Sequence, residues 1–429
     1  MYSLKNFIDF HKDVMGINDV LSVRYEIARM LKKYQERTLK FNKIKEYPGK
    51  YVVGNLINSR DIIKYILNAK SDVEVYSKII NACEHPLKPR EANDATFLYE
   101  KYDDLKNIPI LLHYERDGGP YITSSVVIAK DPETGIQNAS IHRLMMIDEK
   151  HLTIRIVPRH LYRIYKKSKD RGEDLNVAIA IGLHPIILIA AAASPPYGVD
   201  EIYVANKLSD NNIDVFYLEN SELFVPTSAE IIIEGRVLKD KLANEGPFVD
   251  ITGTYDIVRR QPIIEVKNVF MAETPYYHAI LPAGIEHRLL MGLYREAIIW
   301  RRVSEVVPHV KAVRLTTGGC GWLHCIISIK KNNDGDPKNA ILTAFSAHPS
   351  LKMVIAVDED IDVDDPNDVE WAIATRFQAD EDLIIIRNCR GSSIDPSADQ
   401  HNLLTSKMGI DATIPFKKDI TNFIKAKIP

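Results

Sequence analysis

Four short segments carry side chains of the kinds that ligate a cation or move a proton. Asn138-Ala-Ser-Ile-His-Arg143 offers an amide, a hydroxyl, an imidazole and a guanidinium in one stretch. Val157-Pro158-Arg159-His160 puts an imidazole where a strand hands over to a helix, a place where anion sites form. Glu201 follows the loop Ser-Pro-Pro-Tyr-Gly in the segment Val199-Asp-Glu-Ile-Tyr-Val-Ala-Asn206. In Glu245-Gly-Pro-Phe-Val-Asp250 two carboxylates flank a Gly-Pro turn that can fold both back toward one point. An amide oxygen, an imidazole and a carboxylate make a hard, mixed N/O set. Such a set suits Mn²⁺ or Mg²⁺ better than zinc and leaves room for a phosphate ligand. Two carboxylates and an arginine can hold one acid ionised while the other gives and takes a proton. Taken singly, each segment also has an ordinary structural reading: a half-exposed strand, a structural histidine, a solvated loop glutamate, an acidic turn.

Elements that would position these groups are legible in the periodicity. Tyr121–Lys130 reads as a strand, Asp131-Pro-Glu-Thr-Gly135 as a turn, and Ile136–Ile147 as the returning strand of a hairpin. On a regular strand Asn138 and Ser140 share one face and Arg143 has the other parity, so a bulge is needed for Asn138 and Arg143 to converge. His151–His160 is a further strand that leads into a helix. Val177–Ala193 reads as a buried strand, a turn at His184-Pro185 and a small-residue helix. Strands are predicted at 229–237 and 261–271. Helical spacing is predicted over 20–37, over 59–69 with Ser59 as N-cap, and over 285–307, the longest pattern. After it the chain alternates strand and helix, with Asp365 capping a helix that has Pro366 at its first position. Residues 85–92 read as a linker and the last segment as a short helix suited to docking on a second subunit.

The 429 residues correspond to about two to three domains. A net charge of −3 gives no global attraction for nucleic acid or anionic lipid. With 45% hydrophobic and 26% charged residues the chain is an ordinary globular one. Four cysteines in this length are not a disulfide scaffold and point to a reducing, cytoplasmic compartment. The N-terminus lacks an apolar signal core, and the longest apolar run is interrupted at its middle, so no membrane segment is predicted.

In order and separation, the four segments resemble the UbiD family of decarboxylases, which use prenylated FMN. The resemblance runs from about residue 100 to about 410, more loosely before that. It implies a multidomain α+β and α/β chain: an N-terminal α/β segment (1–104), a central split β-barrel that binds prenylated FMN (105–284), a connecting helix (285–307) and a C-terminal α/β oligomerisation domain (308–429). It implies that Asn138, His160 and Glu201 hold Mn²⁺ or Mg²⁺ against the cofactor's phosphate, with K⁺ beside it. Ser140, Arg143, Arg159, His160 and His348 would contact the cofactor, and Arg143, Glu245 and Asp250 would form the acid network, with Asp250 the proton donor. A flavin prenyltransferase would supply the cofactor, and the chain would form a homodimer or larger homo-oligomer.

There are departures. Val249 stands where the family motif has Gly, and Asp250 where some members carry Glu. His348 stands about where some members place a lysine, with Lys352 as a compensating cation. Within the family the chain is most similar to the compact archaeal branch, whose substrate is an α,β-unsaturated acid bearing a phosphate. His142, Arg155, Arg159 and Lys352 are candidate cations for that phosphate. The alternatives are an aromatic acid of the 4-hydroxybenzoate type, or a non-catalytic flavin- or metal-binding protein on the same scaffold. A soft-metal site at Cys320, His324 and Cys325 has poor spacing for zinc. The acidic run 358–368 lacks the glycine and final glutamate of a calcium loop.

Overall fold

The computed structural model describes residues 2–11 and 13–426. It divides into two compact units, Met1–Ala69 with Asn81–Leu290, and Lys70–Ile80 with Met291–Pro429.

The first unit is built on a nine-stranded sheet. In chain order its strands are β1 (Glu100–Tyr102), β2 (Tyr121–Ile122), β3 (Val126–Lys130), β4 (Gln137–Ile141), β5 (Leu144–Asp148), β6 (His151–Ile154), β7 (Leu175–Ile181), β8 (Ile231–Glu245) and β9 (Arg259–Met271). The hydrogen-bonded path runs β2-β5-β6-β9-β8-β7-β3-β4, with β1 on β9. The hairpin expected around Asp131–Gly135 is β3 paired with β4, from Val126↔Ile141 to Lys130↔Gln137. Both of its predicted strands are broken, however. Ser125 Oγ donates to the His142 carbonyl (2.6 Å) and Ser124 Oγ to the His278 carbonyl (2.5 Å), so side-chain hydroxyls satisfy these carbonyls at the break, where the His142 amide still donates to the Ser125 carbonyl at 3.2 Å. After Ile141 the chain leaves β3 and re-enters the sheet as β5, between β2 and β6. Only His142 and Arg143 separate β4, the last strand of the path, from β5, the second. Three peptide units span at most about 11 Å, so the two ends of the open path come close there and the sheet curls.

Strand β7 is buried along nearly all its length, and the helix after it, Pro185–Ala192, is apolar all round and buried. That matches the expected strand, turn and small-residue helix. Helices α1 (His160–Asp170) and α2 (Glu201–Leu208) complete the setting of the candidate site. A four-stranded sheet of Val14–Ile17, Thr38–Phe41, Tyr51–Gly54 and Tyr276–His278 lies in the same unit.

The helix expected over 20–37 shrinks to Glu26–Lys33. Tyr25 takes a positive φ of 68°, and the Ser22 amide is capped by the Glu26 carboxylate at 2.7 Å, so the residues before it make bridges instead. Residues 85–92 are not a bare linker: Arg90–Glu91 pairs in parallel with Asp214–Val215. Ser59 caps Arg60–Ile66 as expected.

The second unit holds a five-stranded mixed sheet in the order Val310–Leu315, His324–Ile329, Met353–Asp358, Leu404–Ala412, Leu383–Arg390. Asp365 accepts from the Asn367 amide at 2.9 Å and opens Pro366–Arg376, as the capping pattern requires. Arg376 is fully buried and ion-paired to Asp358 and Asp360. The expected terminal helix is a single 3₁₀ turn, Ile420–Phe423, and residues 427–429 lie outside the described residues. No described helix is long and apolar enough to cross a membrane.

His113 supplies a stability test. It is 4% exposed and neither ring nitrogen has a hydrogen-bond partner. Burial brings its pKa down from the ordinary 6.5 to about 3. The imidazole is neutral in the fold and takes its proton in the unfolded chain first. Its contribution is therefore complete above pH 6.5 and is lost as pH falls toward about 3, at roughly 1.4 kcal/mol per pH unit. His113→Leu is expected to flatten the loss of unfolding free energy between pH 6.5 and 4.5 by about 2 kcal/mol, read from urea titrations at each pH.

Candidate active site

Two clusters flank the His142-Arg143 crossing. The first centres on Arg143, whose side chain is 12% exposed. Its Nε donates to Glu245 Oε1 at 2.9 Å and its Nη2 to Glu245 Oε2 at 3.0 Å, a bidentate fork. Nη2 also donates to Asp256 Oδ2 at 2.9 Å. Asp250 Oδ2 lies 3.8 Å from Nη1, an ion pair without a hydrogen bond. The guanidinium sits 4.6 Å above the Phe248 ring. Burial opposes its charge, but Glu245, Asp250 and Asp256 outweigh it and hold the pKa above the ordinary value.

The carboxylates are differently confined. Glu245 is fully buried and accepts a further bond from Tyr121 Oη at 3.1 Å. Burial pushes Asp256 up, but Arg259 and Arg143 outweigh it and hold it below the usual range. Asp250 is 23% exposed and keeps one oxygen on the Ile251 amide at 2.6 Å. Of the three acids it is the most exposed and the one that makes no hydrogen bond to Arg143.

Of the expected network, Arg143, Glu245 and Asp250 do converge. Asp256 and Tyr121 were not anticipated. Asp256 returns across a short hairpin, with Phe248 opposite it in register. The Thr252-Gly-Thr254 turn between the two acids was the available signal. Asp117 was also missed. Burial pushes its carboxyl to about 6 against bonds from the Tyr114, His113 and Val249 amides, and its Oδ1 has no partner.

Gly118 holds the motif loop in place. Its amide donates to the Pro247 carbonyl at 2.8 Å, and a Cβ there would lie 2.2 Å from the Gly246 carbonyl oxygen. Gly118→Ala must displace the backbone that carries Glu245. It is expected to lower stability by about 1–3 kcal/mol and to reduce turnover, measured together by melting and steady-state kinetics.

The second cluster centres on Glu201, the first residue of α2, behind Asp200 as N-cap. Glu201 Oε1 accepts from Asn138 Nδ2 at 2.8 Å, and Oε2 from the Ala139 amide at 2.7 Å. His160, at the start of α1, has Nδ1 3.9 Å from Glu201 Oε1. Asn138, His160 and Glu201 are thus together. Ser140 Oγ lies 3.2 Å from Asn138 Oδ1 and 3.0 Å from His142 Nε2. His142 Nδ1 faces the Arg155 carbonyl at 3.1 Å, and burial takes the ring to about 4, so it is neutral. Neutral, it donates from Nδ1 and accepts at Nε2. Arg159 is the exposed N-cap residue of α1.

His348 lies in the second unit, buried, with Nε2 3.2 Å from the Trp322 carbonyl. Lys352, in the same unit, pairs with Asp395 at 3.1 Å. Cys325 is buried within its strand. Among the described residues no three His, Cys, Asp or Glu side chains gather as a metal group.

Three family profiles match consecutive stretches of the chain: the 3-octaprenyl-4-hydroxybenzoate carboxy-lyase N-terminal domain over residues 7–83, its Rift-related domain over 88–285 and its C-terminal domain over 288–412. The chain belongs to the UbiD family. It is 45% identical over 413 residues to the anhydromevalonate phosphate decarboxylase of Methanothermobacter thermautotrophicus, covering 96% of this chain and 97% of that protein. To the protein of the same name from Methanocaldococcus jannaschii it is 46% identical over 418 residues, covering 96% and 97%. The structure of the UbiD-class enzyme HmfF from Pelotomaculum thermopropionicum in complex with FMN superposes with a TM-score of 0.96 at 36% identity, over 100% of this chain and 97% of that one. The enzyme class of this UbiD-family chain is carboxy-lyase.

Proposed function

We propose that this chain is a non-oxidative, prenylated-FMN-dependent decarboxylase that converts trans-anhydromevalonate 5-phosphate to isopentenyl phosphate and CO₂, as a step of an archaeal modified mevalonate pathway. The reading rests on one observation above all. Arg143 is locked by Glu245 and Asp256, while Asp250 stands 3.8 Å away with solvent access. Binding alone does not call for that arrangement. Full-length similarity to relatives named for this reaction supports the substrate.

The residues suit the cofactor and its metal. Asn138, His160 and Glu201 supply an amide oxygen, an imidazole and a carboxylate within one cluster, a donor set for Mn²⁺ or Mg²⁺. Ser140, Arg143, Arg159, His160 and His348 are the proposed cofactor contacts, with K⁺ a companion of the divalent ion. When bound, the cofactor supplies an electron sink for the carbon that loses CO₂. The chain's own residues do the rest. Arg143 orients the substrate carboxylate and Glu245 keeps Arg143 from moving. Once the C–CO₂ bond has broken, Asp250 passes a proton to the α-carbon, a proton that solvent at its exposed edge supplies.

The curled, open sheet is proposed to serve as the family's split barrel, in a chain divided at 1–104, 105–284, 285–307 and 308–429. A flavin prenyltransferase is the proposed source of cofactor. A cytoplasmic homodimer or higher homo-oligomer is the proposed form. The test is CO₂ release from trans-anhydromevalonate 5-phosphate by protein loaded with prenylated FMN and Mn²⁺. No turnover with the cofactor verified in place, but turnover of a 4-hydroxybenzoate-type acid, would overturn the substrate and keep the class.

A further inference from the structure

Three arginines share one face of the sheet beside the proposed proton donor. Leu144 on β5 pairs with Ile154 on β6. One residue further, the Arg155 amide donates to the Arg143 carbonyl at 3.3 Å, so these two stand side by side. The β6–β9 pairing ends at Thr153↔Ile263; carried on by two residues it brings Arg155 level with Gln261, and the Ile156 amide is held by Gln261 Oε1 at 3.1 Å. Arg259, two residues from Gln261, pairs with Glu245 on β8. Strand alternation then puts Arg143, Arg155, Arg259 and Glu245 on the same face.

The acids beside this face are already engaged, and none of them serves Arg155. Glu245 is engaged by Arg143, Asp256 is shared by Arg143 and Arg259, and Asp250 ion-pairs with Arg143 at 3.8 Å. Among the described residues no carboxylate forms an ion pair with Arg155, which is partly exposed and feels the charges of Arg259 and Arg143 more strongly than those of Asp256 and Glu245. Adjacent guanidiniums of one sign, half removed from water, call for an anion with several oxygens, and a phosphate monoester dianion matches their forks. Arg159 is on the other flank of the crossing, where it lowers the charge-holding of His142, and is left for the cofactor.

We infer that Arg155 and Arg259 form an anion subsite beside Arg143 that holds the phosphate of the substrate while Arg143 takes its carboxylate, an inference that rests on the phosphorylated-acid reading above. Arg155 is the cleaner probe, because its removal orphans no carboxylate. Holoenzyme carrying Arg155→Gln, and separately Arg259→Gln, is compared with wild type in three ways: kinetics on trans-anhydromevalonate 5-phosphate and on the same acid without phosphate, calorimetric binding of isopentenyl phosphate, and flavin content. The subsite requires that Arg155→Gln raise KM for the phosphorylated acid by about tenfold or more and weaken isopentenyl phosphate equally. The preference for the phosphorylated over the plain acid should fall by the same factor, at wild-type flavin content. Unchanged KM and binding would overturn the inference. So would loss of flavin with KM unchanged in the loaded fraction, which assigns these arginines to the cofactor. A wild type that releases no CO₂ yet binds isopentenyl phosphate through Arg155 would overturn the substrate reading and uphold the subsite.

Discussion

Asp250→Asn is expected to cut CO₂ release by about a hundred- to ten-thousand-fold and leave the melting temperature within a degree or two of wild type. The asymmetry follows from what Asp250 does in the fold. Its Oδ1 accepts from the Ile251 amide at 2.6 Å, and an asparagine oxygen can keep that bond. It makes no hydrogen bond to Arg143, so only the 3.8 Å ion pair is lost while the bonds of Arg143 to Glu245 and Asp256 remain. What the amide cannot do is carry a transferable proton. Steady-state CO₂ release beside a thermal melt reads both halves. A variant retaining more than a tenth of wild-type turnover would take the role away from Asp250. Asp256 would not inherit it, because two arginines hold it ionised. Asp117, whose carboxyl lies near 6, would be tested next.

Glu245→Gln should cost both stability and rate. Its carboxylate is fully buried and makes both arms of the fork to Arg143. Neutralising one partner of a buried pair leaves a guanidinium short of charge, which costs about 3–5 kcal/mol. The remaining acceptors are Asp256 and, across the 3.8 Å gap, Asp250. Arg143 is expected to swing toward Asp250 and engage its free oxygen, which takes the proton donor from the substrate without changing it. Turnover should fall by about a hundredfold, measured as CO₂ release by folded protein with its cofactor verified in place. A loss of stability with turnover unchanged would mean that Glu245 only supports the fold.

Local chemistry was readable along the chain wherever partners are near in sequence. The Asp131–Gly135 turn, the Asp365 cap with Pro366 and the strand–turn–helix of 175–192 all depend on residues within a few positions of one another. Parity alone required a distortion between Asn138 and Arg143. It could not say that the distortion is a crossing from one end of the sheet to the other, because that depends on strands more than a hundred residues away. The helix over 20–37 failed for a related reason. Its apolar spacing was real, but bridges to Ile44 and Leu112 claimed the first turns. Asp256 was overlooked because its partners, Arg143 and Phe248, come from the crossing between β4 and β5 and from the far arm of a hairpin.

The sequence by itself determined which groups are present and in what order: an amide, an imidazole and a carboxylate for a cation, then an arginine and two acids for a proton. Residue types and short spacings carry that information, since ligation and proton transfer are properties of the side chains themselves. Only the tertiary structure decided how the acids divide the work. Glu245 is sealed against Arg143, Asp256 is held ionised between two arginines, and Asp250 is left at the edge with water in reach. Burial and charge pairing set those differences, and both are sums over neighbours that strands distant in sequence bring together.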